Sequence, residues 1–340
     1  MKEEAVTSLN NEEAKPGEEE ISLGRRVLDV RTLASFLVAF VIIVLALTQL
    51  GVDWLSIWEQ VRASNPWLYG IAFLLFYISL VVRGVRWRIL LRNVGFRRRL
   101  GVSIPSAMGL TEIVFLSWFA NCVVPAKLGD AYRAYLLKRR AAVSFSTTMG
   151  TIVAERIMDT SVVFILLGGV ALWFVGRSGL QNVLILLGIG GGMMAVIALV
   201  LLIMGRFGAH IQGFLPKRLA PFYERFQAGT LGSFRQLPSI ALLSVVVWFF
   251  EAGRLLFVSY SMGLSLALPF ILFVALANSL LTVVPFTPGG LGLVEVGVVG
   301  LLMMVISKES AVSVAFLDRT ISYWSLVILG LAFFPLRGRK

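Results

Sequence analysis

The sequence predicts an all-α polytopic membrane protein with about eight transmembrane helices, one or two re-entrant broken-helix hairpins and an inverted internal repeat. Three observations carry the prediction. The 340 residues are 58% hydrophobic and only 15% charged, against about 25% charged in soluble domains. Basic clusters stand beside long apolar runs. Two of those runs break at matching signatures, Val-Val-Pro followed by Leu-Gly, at 123–129 and at 283–292.

Composition also excludes. A single Cys, Cys122, rules out an intramolecular disulfide and a Cys-based metal cluster. The single His, His210, reads as a surface residue of a polar loop, so no metal site and no cofactor are expected. The net charge of +12 does not imply nucleic acid, because its Arg and Lys flank apolar spans, where they orient the chain and meet anionic lipid.

Residues 1–24 read as a disordered acidic cytoplasmic tail, with seven Glu against two Lys in the first twenty positions. Residues 25–340 read as one transmembrane domain. Arg25, Arg26 and Arg31 precede a first span at 32–50, close to the roughly 20 residues a crossing helix needs. The loop 51–66 carries Asp53 and Glu59 against Arg62, with Trp54, Trp58 and Trp67 as an interfacial belt, and is placed outside. A second span, 67–82, runs into Arg83, Arg86, Arg88, Arg92, Arg97, Arg98 and Arg99, which put that end in the cytoplasm.

Residues 106–140 are basic at both ends. A hairpin with limbs 106–124 and 128–137, entering and leaving from the cytoplasm, avoids carrying a basic cluster outside. Then follow a span at 146–175, a return at 182–204, and a second basic loop from Arg206 to Arg235. A span at 238–262 carries Glu251 and Arg254. The limbs 268–284 and 291–306 either cross twice or form a second hairpin, entering from outside. The last span, 312–335, ends in Arg337, Arg339 and Lys340, so both termini are expected in the cytoplasm of a cell-membrane protein.

The repeat rests on order and spacing. Each break, marked by Asn121, Pro125, Gly129 and Asp130 in one half and Pro285, Pro288, Gly289, Gly290 and Gly292 in the other, is followed by a span with an acid–Arg doublet. The doublets are Glu155-Arg156 and Asp318-Arg319. Pro125 to Arg156 is 31 positions and Pro285 to Arg319 is 34. The repeat-like units are about 106–175 and 268–335. Broken helices in inverted repeats are a recurring transporter design.

An ionisable group inside a span costs at least about 2.5–3.5 kcal/mol, so it is expected to pair or to work. Arg156 and Arg319 are candidates to grip a phosphate with two parallel hydrogen bonds, with Lys127 and Arg133 beside the first break. Glu155, Asp159, Glu295 and Asp318 are candidates to balance charge or relay a proton. Glu251 and Arg254, three apart, can pair on one helix face. The glycines after Pro288 allow close backbone approach to a ligand.

Arg86-Trp87, Leu90-Leu91 and Gly95, Asn121 through Pro125 to Gly129-Asp130, Arg133-Ala134, Glu155-Arg156, Asp159, and Pro288-Gly289-Gly290-Leu291-Gly292 with Glu295 together resemble the transmembrane region of lysylphosphatidylglycerol synthases and the stand-alone flippase-like proteins related to it. The resemblance covers roughly residues 30–335. Lys127 stands where that family's pattern has Arg. The resemblance implies a module that moves lipid between leaflets. No aminoacyl-transferase domain follows in this sequence, so a non-enzymatic translocase is expected rather than a synthase. The implied ligand is a membrane phospholipid or polyprenyl-phosphate lipid. A homodimer and a lipid-modifying enzyme are the implied protein partners. With no nucleotide motif, a gradient or mass action would drive movement. Two other classes stay open: a membrane enzyme or enzyme accessory acting on lipid-phosphate headgroups, and an ion-coupled carrier of a small anion.

Overall fold

The computed structural model describes residues 29–96, 102–125, 127–173, 180–282 and 287–337, and these contain helices and no strand. In order they are α1 (Val30–Leu50), α2 (Trp54–Arg62), α3 (Pro66–Asn93), α4 (Ala107–Val123), α5 (Leu128–Ala141), α6 (Phe145–Trp173), α7 (Leu180–Phe214), α8 (Ala220–Gly232), α9 (Leu237–Ser261), α10 (Leu268–Leu281), α11 (Leu293–Leu302), α12 (Lys308–Arg319) and α13 (Ser325–Arg337). Short 3₁₀ turns cover Ser233–Gln236 and Pro288–Gly290, and a π turn covers Thr320–Trp324. The expected acidic tail, Arg97–Arg99 and Pro285 lie outside the described residues.

Among the described residues five segments are long and apolar enough to cross a membrane: Thr32–Leu50, Pro66–Asn93, Gly190–Phe214, Ala220–Ser261 and Lys308–Phe333. Shorter apolar helices cover Ala107–Val123, Leu268–Leu281 and Pro288–Leu302. The 29 residues of α6 are also long enough, but they carry Glu155, Arg156 and Asp159. The chain is therefore an all-α polytopic membrane protein.

Two compact units divide the fold. Among the described residues, one takes those of 81–114 and 130–246, and the other those of 29–80, 115–129 and 247–337. In the first, α6 and α8 touch backbone to backbone. A side chain at Gly150 would run into the Phe226 carbonyl, and one at Gly229 into that of Thr147. The core around them holds Trp87, Leu91, Ile113, Leu137 and Ile152. In the second unit Phe76, Val258, Ile271, Leu302, Val314 and Leu326 are buried.

Both broken pairs fold back on themselves. In the first unit Arg140, near the end of α5, pairs with Glu112, near the start of α4, at 2.7 Å, so the two outer ends lie together. In the second unit the Asn65 N–H donates to the Ser261 carbonyl at 2.6 Å, seven residues before α10 begins. Six residues after α11 ends, Lys308 Nζ donates to the carbonyls of Leu50 at 3.0 Å and Gly51 at 2.7 Å. Entry to α10 and exit from α11 thus sit at the same end of the unit, that of residues 51–65. The lengths agree: α11 has 10 residues and rises about 15 Å, half of a hydrocarbon core of about 30 Å.

Four expectations change, the first being the basic loop 206–235, which is largely helical in α7 and α8 and buries Arg225. The segment 51–66 is not all loop, because Asp53 caps α2: its carboxylate accepts the Leu55 N–H at 3.0 Å and the Ser56 hydroxyl at 2.9 Å. His210 lies on an exposed turn of α7, not in a loop, because the apolar periodicity of that helix runs on to Phe214. Arg83 and Arg86, expected in a cytoplasmic basic cluster, are buried. They continue the inward face of α3 set by Ser79, and carboxylates from α6 meet them there.

Candidate functional site

Two ion networks are built alike, one in each unit. In the first, Arg86 donates to Glu155 at 2.9 Å, to both oxygens of Asp159, and to the Ser244 hydroxyl at 2.6 Å. Arg83 lies 3.7 Å from Asp159. The second oxygen of Glu155 accepts from Arg133 at 2.9 Å. The Arg133 guanidinium also lies 3.9 Å over the Trp87 ring, a cation–π contact, and Trp87 Nε1 donates to Thr151 at 3.2 Å. Glu155 and Asp159, four residues apart on α6, thus face the same way and share one guanidinium.

Arg156 points elsewhere. It grips Asp130, in the first turn of α5, with two hydrogen bonds of 3.1 and 2.8 Å. Its side chain is 38% exposed, whereas that of Arg133 is 2%. Arg133, expected at a headgroup, is instead committed to Glu155 and Trp87.

The second network repeats the pattern. Asp318, the acid of its doublet, pairs with the buried Arg254 of α9 at 2.7 Å. Arg254 also meets Glu251 at 3.2 Å, the i,i+3 pair expected from spacing, and Ser79 donates to Glu251 at 3.3 Å. Arg319, the doublet's Arg, places Nε 2.7 Å from Glu295, the acid just after its break. In each network the doublet acid goes to a buried Arg from another helix. The doublet Arg goes to the acid beside the break.

The breaks are held by specific contacts. Asn121 Oδ1 accepts the Gly129 N–H at 2.9 Å, bridging the first gap, and a side chain at Gly129 would strike the Ser117 carbonyl. Asn121 itself lies in α4, and Gly129 and Asp130 form the first turn of α5. Lys127 takes the left-handed conformation at φ 52, uncommon for a residue with a Cβ. At the second break Gly289 has φ 60, and a Cβ there would lie 2.6 Å from the Tyr323 ring. The Tyr323 hydroxyl donates to the Cys122 carbonyl at 2.7 Å, so this ring ties the two breaks together inside the second unit.

Beside the second break lies a cavity of about 540 Å³. Its walls are apolar, with Ile43 and Leu47 of α1, Val296 and Val299 of α11, Phe316 of α12 and Trp324. Glu295 and Arg319 also line it. Such a shape, apolar walls with a few convergent polar groups, is that of a ligand pocket. Among the described residues no group of His, Cys, Asp and Glu could hold a metal ion.

Sequence reasoning undervalued Arg86 and Arg254. The signal for Arg86 was present: positions 79, 83, 86 and 90 keep helical spacing, whereas Arg92 falls on the exposed side.

Folded-back broken helices and paired buried ion networks define a polytopic helical membrane protein with charged groups at an apolar cavity. The sequence profile described as Lysylphosphatidylglycerol synthase TM region matches residues 32–330, and the chain belongs to that family. The UPF0104 membrane protein MJ1078 of Methanocaldococcus jannaschii is 36% identical over 225 residues, 65% of this chain and 95% of that protein. The UPF0104 membrane protein PH1989 of Pyrococcus horikoshii is 26% identical over 304 residues, 79% of this chain and 87% of that one. Glycosyltransferase AglD of Haloferax volcanii is 25% identical over 322 residues; the match spans 82% of this chain and half of AglD.

Proposed function

We propose that this protein is a lipid translocase of the cell membrane, moving a phosphate-bearing lipid between leaflets, with both termini in the cytoplasm. The observation that carries the reading is the 540 Å³ apolar cavity with Arg319 and Glu295 on its wall. A planar guanidinium at an apolar cavity suits a phosphate with hydrocarbon attached better than a freely soluble anion. Arg319 in the second unit and the partly exposed Arg156 in the first are each assigned a phosphate contact of their own, with Lys127 at the first hairpin tip to assist. Arg133, Glu155, Asp159 and Asp318 hold the doublets in place. Acyl chains stay in the bilayer while the headgroup passes the hairpins. The two folded-back pairs support this reading, because irregular backbone at membrane depth is tolerated where protein or a wet cavity covers it.

Proteoliposomes with a leaflet-resolved fluorescent phosphatidylglycerol provide the test. Protein should speed equilibration over empty vesicles, and Arg156→Ala combined with Arg319→Ala should abolish that gain. Unchanged movement in the double variant would overturn the assignment.

A second reading, an enzyme or enzyme accessory acting on lipid-phosphate headgroups, is favoured by one observation: the relative AglD is named a glycosyltransferase. Product formation by the purified protein with lipid acceptors, and no movement between leaflets, would replace the first reading with the second.

A further inference from the structure

The carboxylate of Glu295 is held by an ion pair with Arg319 and a hydrogen bond from the Gly292 N–H, two groups that would suit a phosphate equally well. One oxygen lies 2.7 Å from Arg319 Nε, and the other accepts the Gly292 N–H at 2.6 Å. Arg319 Nη2 reaches the Gly289 carbonyl at 3.5 Å, so the guanidinium is steered to this spot by backbone as well. Gly292 heads α11, where free N–H groups and the helix dipole favour an anion. It is fixed there by packing, since a Cβ at its φ of 87 would lie 3.2 Å from Ala39 O and Ile42. The Gly292 N–H is therefore fixed in place, whereas Glu295 reaches it through a flexible side chain at the third position of α11. Glu295 and Arg319 both face the apolar cavity.

We infer that Glu295 keeps the place of a phospholipid's phosphate on Arg319 and Gly292, and that the headgroup enters the cavity by exchanging with this internal carboxylate. The identity of the ligand as a phospholipid rests on the translocase reading. The exchange itself does not. A guanidinium facing an apolar cavity with no counter-ion would be costly, so the empty site needs an anion of its own. That anion competes with the lipid and sets how tightly it is held. A translocase gains from this, because a headgroup bound without competition would leave slowly.

The test measures phosphatidylglycerol binding to the purified full chain in neutral detergent by native mass spectrometry. Diacylglycerol and inorganic phosphate are titrated in parallel. Glu295→Gln, which can still accept the Gly292 N–H, should bind phosphatidylglycerol on the order of tenfold tighter than the wild type. Adding Arg319→Gln should erase that gain. Diacylglycerol binding should not change. Glu295→Asp, too short to span both groups, is the second variant and should also bind more tightly, which decides the matter if the Gln variant does not fold. Equal or weaker binding in the folded variants would overturn the exchange. A gain seen equally with inorganic phosphate would overturn the lipid as its source. Translocation is scored separately. Tighter binding without wild-type translocation keeps the exchange and removes the translocase reading; translocation without tighter binding does the reverse.

Discussion

Arg86 is fully buried, and the carboxylates of Glu155 and Asp159 converge on it. Taking any of these charges out of water is expensive, and the cost is met only while all partners are present. Arg86→Met fits the apolar surroundings, yet it leaves two carboxylates on one face of α6 without their shared cation. We expect it to destabilise the protein by about 3–5 kcal/mol, read as a lower melting temperature in detergent. A change under about 1 kcal/mol would show that Arg133 and Arg83 carry the load instead. Arg156 differs in kind. Its bidentate contact with Asp130 is partly exposed, whereas the guanidinium groups of Arg86 and Arg133 are buried.

Among the elements, α2 shows how a short helix is held at the end of a bundle. Its Trp54, Leu55 and Trp58 are exposed while Ile57 is buried, the arrangement of a helix lying in an interface. Asp53 caps it. Hydrogen bonds, first from the Ser56 hydroxyl and then from the Leu55 N–H, hold the Asp53 carboxyl below its ordinary value of 3.8. A depressed carboxyl contributes stability that is complete above the ordinary value and is lost as pH falls through the folded one. Hydrogen exchange at the Leu55 amide, normalised to its intrinsic rate, should therefore show protection above about pH 5 that fades toward acid. Asp53→Asn should keep the cap and lose the pH dependence. The hairpins use other means. Asn121 closes the first through one side-chain bond, and Tyr323 braces the second against Gly289. The π turn that follows Arg319 is a local widening often found at functional sites.

At the scale of the molecule, the chain uses one design twice, a folded-back broken helix followed by an acid–Arg doublet. The direct membrane test is side-specific labelling in a Cys122→Ala background. Asn65→Cys and Ser307→Cys should react with a membrane-impermeant maleimide added to the same face, and Arg139→Cys with reagent added to the other. Reaction of Asn65→Cys and Ser307→Cys from opposite faces would mean that α10 and α11 cross twice.

Hydropathy, basic clusters and two similar breaks determined a helical membrane fold with interrupted spans, because lipid punishes unpaired backbone and charge and so writes those features into local sequence. The pairing of Glu251 with Arg254 was legible for the same reason: three residues on a helix define a neighbour. Where the other charges go was not legible. Arg86 reads from its surroundings as an orienting cation, and only the carboxylates of α6, about 70 residues away in sequence, make it a buried one. Arg133 turning to Glu155, Arg319 to Glu295, and the fold-back of α10 on α11 were likewise decided by tertiary structure. A salt bridge depends on which helix faces stand opposite each other, and no periodicity within one helix contains that information.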